Sequence, residues 1–261
     1  MSKNQSVTGK RRFGALIIGD EILSGKRQDA HFARMRTLFS ARGLRLSWVH
    51  YAVDERATLI NLFERSFADQ DIVFSFGGIG NTPDDHTRQA VSAALKLPLI
   101  LSAEAERILL ERFGESMTPE QKLLATFPKG SRLVPNPVNR IPGFMLREHH
   151  CLPGFPEMAH PMVEWVLDNC YAELHVTPGS NVEKALLLSG PDAYESLLLD
   201  LMQSIVDAYP DLRLFSLPGI STPGSRHLEL GVEGPPQRVD EALTEMIAAI
   251  ESLDQINWRW R

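Results

Sequence analysis

A chain of 261 residues is long for one average domain and short for three, so two domains joined by a short linker are the starting expectation. Hydrophobic residues at 43% and charged ones at 23% suffice for a buried core, and a formal net charge of -6 excludes broad nucleic-acid binding, which calls for a basic surplus. No apolar run reaches the roughly 20 residues that span a bilayer, and Cys151 and Cys170, with no C-x-x-C pair or zinc-spaced histidine, read as reduced thiols of a cytoplasmic protein with no membrane partner.

The polar, basic start "MSKNQSVTGKRR" (1–12) reads as a tail before a first strand, "FGALIIG" (13–19). "LRLSWVHYAV" (44–53) and "DIVFSF" (71–76) are further strands, and residues 29–42 and 55–68 between them carry apolar side chains at helical spacing. A helix is predicted over 83–96, then an ambiguous "LPLIL" (97–101) and helices over 103–114 and 119–127. Pro128, Pro135, Pro137 and Pro142 mark an irregular segment, and a hairpin around "GFMLREHHCLPG" closes the sheet before a helix over 157–169. Alternating strands and helices predict a doubly wound, mostly parallel α/β sheet over 13–176.

After a linker at "TPGSN" (177–181) the grammar changes. Strands at 184–190, 212–218, 226–234 and 255–260, with helices over 192–208 and 236–252, predict a smaller ferredoxin-like α+β domain over 182–261.

The chemistry concentrates in "DIVFSFGGIGNTPDDHT" (71–87). Thr82 as a cap, Pro83 at the first helical position, and Asp84 and Asp85 in the first turn describe a helix start. Three glycines in four residues, Gly77, Gly78 and Gly80, are not explained by a helix start; they suit close approach of an anion, a phosphate above all, to backbone amides. A phosphate about 5 Å from a carboxylate is repelled by a few kcal/mol at an effective dielectric near 20. A divalent cation between them reverses the sign, and magnesium, which binds through one or two carboxylates plus phosphate oxygens, fits Asp84 and Asp85.

Two further loops on the same sheet edge offer acids. Asp20 and Glu21 follow the first strand, ahead of Ser24, Gly25 and Asp29, and Asp54 follows the second. Asp29 and Asp54 also suit helix capping. His86 is either a proton carrier or a surface residue. His149 and His150 are adjacent, so a strand points them to opposite faces and they cannot share a metal. Asn136, Asn139 and Arg140 are either ligand donors or parts of a rigid proline loop.

The segments "GDEILSGKRQDAH", "GGIGNTPDDHT" and "LPGFPEM" resemble, in order and spacing, the MoaB/Mog-type molybdopterin-binding domain, most closely its version in the N-terminal half of the competence-damage protein CinA. The resemblance spans about 13–170; the segment from "YPDLRLFSLP" on is similar to the small α+β domain of CinA-like proteins, without a counterpart of the CinA deamidase domain. It implies a phosphorylated small molecule as ligand: molybdopterin or its adenylylated form, or a dinucleotide such as ADP-ribose or FAD cleaved at its pyrophosphate. It implies Asp85 in catalysis with Asp54 as a second acid, and Gly77, Gly78, Gly80 and Thr82 around a phosphate; to these the reading of the loops adds Asp20 as a positioner of water and Asn81, Gly25 and Asp29 as ligand contacts. A homo-oligomer is implied by the same analogy. A non-catalytic binding or assembly module, or adenylyl transfer in molybdenum cofactor biosynthesis, is the alternative. Asn81 replaces the usual proline, His86 an apolar residue and His31 an asparagine, and Glu157 comes one residue early.

Overall fold

The computed structural model describes residues 11–114, 117–177, 179–222, 225–253 and 255–261; residues 1–10 of the expected tail and Pro178 of the expected linker lie outside them. The chain divides into two compact units at His175 and Val176.

The first unit runs β1 (Phe13–Ile18), α1 (Asp20–Leu23), α2 (His31–Ser40), β2 (Leu46–Ala52), α3 (Arg56–Asp69), β3 (Ile72–Phe76), α4 (Thr87–Ala94), β4 (Leu99–Leu101), α5 (Ala103–Phe113), α6 (Pro119–Leu123), β5 (Thr126–Pro128), β6 (Arg132–Val134), β7 (Gly143–Leu146), β8 (His149–Leu152) and α7 (Pro156–Cys170). The main sheet has the order β2-β1-β3-β8-β7-β6; β2, β1, β3 and β8 are mutually parallel, β7 runs opposite to them, and β6, antiparallel to β7, runs with them again. β1 and β3 are buried at every position, as expected of strands covered on both faces. Phe13, Ala15 and Ile17 join Phe39, Phe74, Met162 and Val166 in the core beneath α2 and α7. Leu16 and Ile18 point the other way, onto Leu59, Phe63, Val91 and Leu109 of α3, α4 and α5.

Three expectations are corrected. "LPLIL" supplies β4, paired antiparallel with β5, so the predicted helix over 119–127 stops at Leu123 and Thr126–Pro128 is a strand. The hairpin β7–β8 is real, but β8 does not close the sheet: it lies inside it, parallel to β3. Its histidines face opposite ways, as alternation requires. His149 Nε2 lies 2.8 Å from Ser66 Oγ and its ring stacks on Phe67 at 3.7 Å, while His150 Nε2 lies 2.7 Å from the Tyr171 hydroxyl. Burial pushes both imidazoles down to about 3. The third correction concerns α4, which begins at Thr87 rather than residue 83.

The second unit runs β9 (Val182–Ser189), α8 (Leu199–Ala208), β10 (Arg213–Thr222), β11 (Ser225–Gly234), α9 (Pro236–Glu251) and β12 (Asn257–Trp260). Its antiparallel order β10-β11-β9-β12, with two helices between, is the split βαβ arrangement. Leu186, Leu188, Leu230 and Val232 of the sheet bury against Val239, Leu243, Met246 and Ile250 of α9.

Candidate functional site

In an open parallel sheet, ligands bind beyond the carboxyl ends of the strands. Four strand ends here open onto one cleft of about 780 Å³. The loop after β1 supplies Asp20, Leu23, Ser24, Lys26 and Arg27; the loop after β2 supplies Asp54. The loop after β3 brings Gly77, Gly78, Asp84 and Asp85, and that after β8 brings Gly154 and Phe155.

Backbone geometry dictates the first two glycines. Gly77 and Gly78 have φ of 103° and 64°, a region that L side chains rarely adopt. A Cβ on Gly77 would collide with the Ile18 carbonyl, and one on Gly78 would lie 2.6 Å from Asp54 Oδ2. The loop is tied down from below. Gly77 N donates to Leu152 O at 3.0 Å, Thr87 N donates to Gly78 O at 2.9 Å, and the Thr87 hydroxyl donates to Gly77 O at 2.9 Å. These bonds use the Thr87 amide and hydroxyl on the glycine loop, which fixes the start of α4 there.

Residues 82–85 form a turn, with Asp85 N donating to Thr82 O at 3.1 Å. The Asp85 carboxylate folds back into the glycine loop: Oδ1 accepts from Gly80 N at 2.9 Å, and Oδ2 accepts from Thr82 N at 2.8 Å and the Thr82 hydroxyl at 2.5 Å. The buried Arg88 guanidinium donates to the carbonyls of Gly80 and Leu123 and holds the loop's far side. Among the described residues, the amides of Gly78 and Ile79 carry no internal partner. A carboxylate offers about four acceptor positions, so three donors leave Asp85 little capacity for a metal or a reacting water.

Asp54 is differently placed. It is half-buried, with Oδ1 accepting a 3.3 Å bond from His86 N and Oδ2 beside Gly78. Burial pushes its carboxyl up to about 6; the His86 charge and amide oppose that, and Asp85 and Asp20 add to it. Asp84 and Asp20 are exposed. Among the described residues, no group of three or more His, Cys, Asp or Glu side chains forms a metal cage.

The other expected ligand contacts do not line this cleft. Asp29 Oδ1 accepts from His31 N at 2.8 Å, and Oδ2 accepts from Phe32 N at 3.2 Å and the Tyr51 hydroxyl at 2.8 Å, so Asp29 caps α2 and ties it to β2. Gly25, with φ of 72°, makes the turn after α1. Asn81 Nδ2 reaches the Glu120 carbonyl at 3.1 Å. Asn136 and Asn139 bond each other and their own loop, and Arg140 pairs with Glu111 at 2.6 Å. His31 is buried, stacked 4.3 Å from Phe76, with Nε2 3.1 Å from the carbonyl of the cleft residue Gly154.

Sequence reasoning missed Thr87, Arg88, Lys26, Arg27 and Phe155. Lys26 and Arg27 stand within "GDEILSGKRQD", so their charge was readable while their place in the lining of the cleft was not.

Residues 14–172 match the family model described as a probable molybdopterin binding domain. The chain belongs to this molybdopterin-binding family. A CinA-like protein of Anaeromyxobacter sp. (strain Fw109-5) is 33% identical over 187 residues, 69% of this chain and 45% of the relative. The chain therefore spans about half the length of the CinA-like relatives it matches. A protein of Caldivirga maquilingensis is 28% identical over 260 residues, 92% of this chain and 96% of its own. The crystal structure of the protein CinA with unknown function from Thermoplasma acidophilum covers 61% of this chain and 98% of its own at 22% identity and a TM-score of 0.56, and so shares the fold of the molybdopterin-binding unit. No helix among the described residues is long and apolar enough to cross a membrane.

Proposed function

We propose that the cleft binds a phosphorylated pterin or a nucleotide diphosphate and, in a ligand that carries a phosphoanhydride, hydrolyses that bond with magnesium. The observation that supports this reading is the meeting, in the lining of one cleft, of Gly78, whose amide has no internal partner, with the half-buried Asp54. The Gly78 amide holds a phosphate oxygen; Lys26 and Arg27, on the loop after β1, offset the repulsion from the acids. Asp54, ionised above a pH of about 6, accepts the proton of the attacking water. Asp85 acts through the loop: its three accepted bonds keep Gly80 and Thr82 in place. Asp20 orients the water from the β1 side.

The donor set fits magnesium, since the exposed carboxylate of Asp84 lines the cleft and would hold the ion together with oxygens of a ligand phosphate. Bound there, magnesium would neutralise charge on the phosphoanhydride and make water a better nucleophile.

Incubation with ADP-ribose, FAD and ATP, with and without magnesium, tests the reading against Asp54→Asn and Asp85→Ala. Magnesium-dependent monophosphate release by the wild type, lost in Asp54→Asn, is the expected result. Tight binding of these compounds without turnover in any buffer would leave a binding module instead. The proposed setting is the cytoplasm, where Cys151 and Cys170 stay as the free thiols seen here. A homo-oligomer is proposed on the family's analogy, and sedimentation equilibrium checks it.

A further inference from the structure

The cleft is charged and backbone-lined almost throughout, yet two large apolar side chains stand open in it. Leu23 is 50% exposed and Phe155 is 53% exposed, and both line the cleft. They come from different strand ends, Leu23 from α1 after β1 and Phe155 from the turn between β8 and α7. Phe155 sits on a fixed backbone: its carbonyl accepts from Met158 N at 3.0 Å and Ala159 N at 2.9 Å as the head of α7, and the preceding Gly154 carbonyl is held by His31 at 3.1 Å. An aromatic ring carried on a fixed backbone and half exposed to water beside the glycine loop gains most by covering a flat apolar partner.

We infer that Phe155, with Leu23, forms the subsite for the planar heterocycle of the ligand, so that this protein selects ring-bearing phosphates over simple ones. The assignment rests on the phosphate-binding reading of the same cleft. The loop amides fix the phosphate and Phe155 stacks on the ring, so recognition has an anionic end and an aromatic end. Stacking of a base on an aromatic side chain changes affinity by about tenfold or more when the side chain is removed.

Calorimetric titration of the full chain with ADP, FMN, ribose 5-phosphate and inorganic pyrophosphate, in the presence of magnesium, tests this in wild type, Phe155→Ala, Phe155→Tyr and Leu23→Ala. Phe155→Ala is expected to weaken ADP or FMN by about tenfold, to leave ribose 5-phosphate and pyrophosphate unchanged, and to be rescued by Phe155→Tyr. Loss confined to ADP marks a nucleobase subsite, and loss confined to FMN marks a pteridine-like one. Equal weakening of all four probes, or none, overturns the assignment while leaving phosphate binding in place. A wild-type chain that binds none of them overturns the proposed function and this assignment together.

Discussion

Asp54→Asn separates what the carboxylate does for the reaction from what it costs the fold. Asp54 is pushed from an ordinary 3.8 to about 6 mainly by burial, so above pH 6 the folded chain carries a charge it disfavours. Each tenfold change in proton affinity is worth about 1.4 kcal/mol, which gives about 3 kcal/mol at neutral pH. Asp54 is only partly buried, and solvent screening reduces the figure to about 1.5 kcal/mol. The sign follows from linkage: between 3.8 and about 6 the folded state binds the proton more tightly, so this contribution destabilises as pH rises and is complete above pH 6. Asparagine keeps an oxygen for the His86 amide and carries no charge. The variant is therefore expected to be more stable than wild type by about 1.5 kcal/mol at pH 7.5 and by only a few tenths at pH 4, while losing hydrolysis. Because two units unfold in this chain, protection of the β3 amides against hydrogen exchange reports the relevant unit. An Asp54→Asn protein that is destabilised, or stabilised equally at both pH values, refutes the reasoning.

Gly78→Ala places a methyl 2.6 Å from Asp54 Oδ2 at a φ of 64°; a loss of about 1–3 kcal/mol, read by the same exchange measurement, and abolished phosphate binding on titration are expected. Acid should act through β8. Unfolded histidines take up protons below their ordinary 6.5, whereas His149 and His150 resist until about 3, so stability is full above 6.5 and falls as pH drops toward 3. Each contributes up to about 1.4 kcal/mol per pH unit, and the slope of stability against pH in His149→Gln or His150→Gln should be shallower by about that much.

Much of the fold was legible because β1 and β3 are apolar runs broken by a single polar side chain, Ser75, and flanked by helical periodicity, a pattern set by local burial. The convergence of Asp20, Asp54, Asp84 and Asp85 was legible for a topological reason: loops after parallel strands open on one edge. The start of α4 was not. Thr82, Pro83 and Asp85 carry every local preference of a helix start, but Thr87 gains two bonds to the glycine loop by starting the helix later, a tertiary gain no window of sequence reveals. The interior position of β8 was hidden likewise, since His149 and His150 look polar until Ser66 and Tyr171, distant in sequence, satisfy one nitrogen of each. Asp29 illustrates the converse: its capping was readable locally, and its third partner, Tyr51, came from across the sheet.

The insertion of β8 between β3 and β7 also dictates when the protein becomes competent. Ile72–Phe76 leaves the ribosome more than seventy residues before the strand that must lie against it, so one flank of β3 waits uncovered during synthesis, and pairings this remote in sequence close slowly. Gly154 and Phe155 arrive last, directly behind that strand, which makes ligand capture a certificate that the whole unit has been threaded correctly; a small molecule bound there locks in the late step and none of the earlier ones.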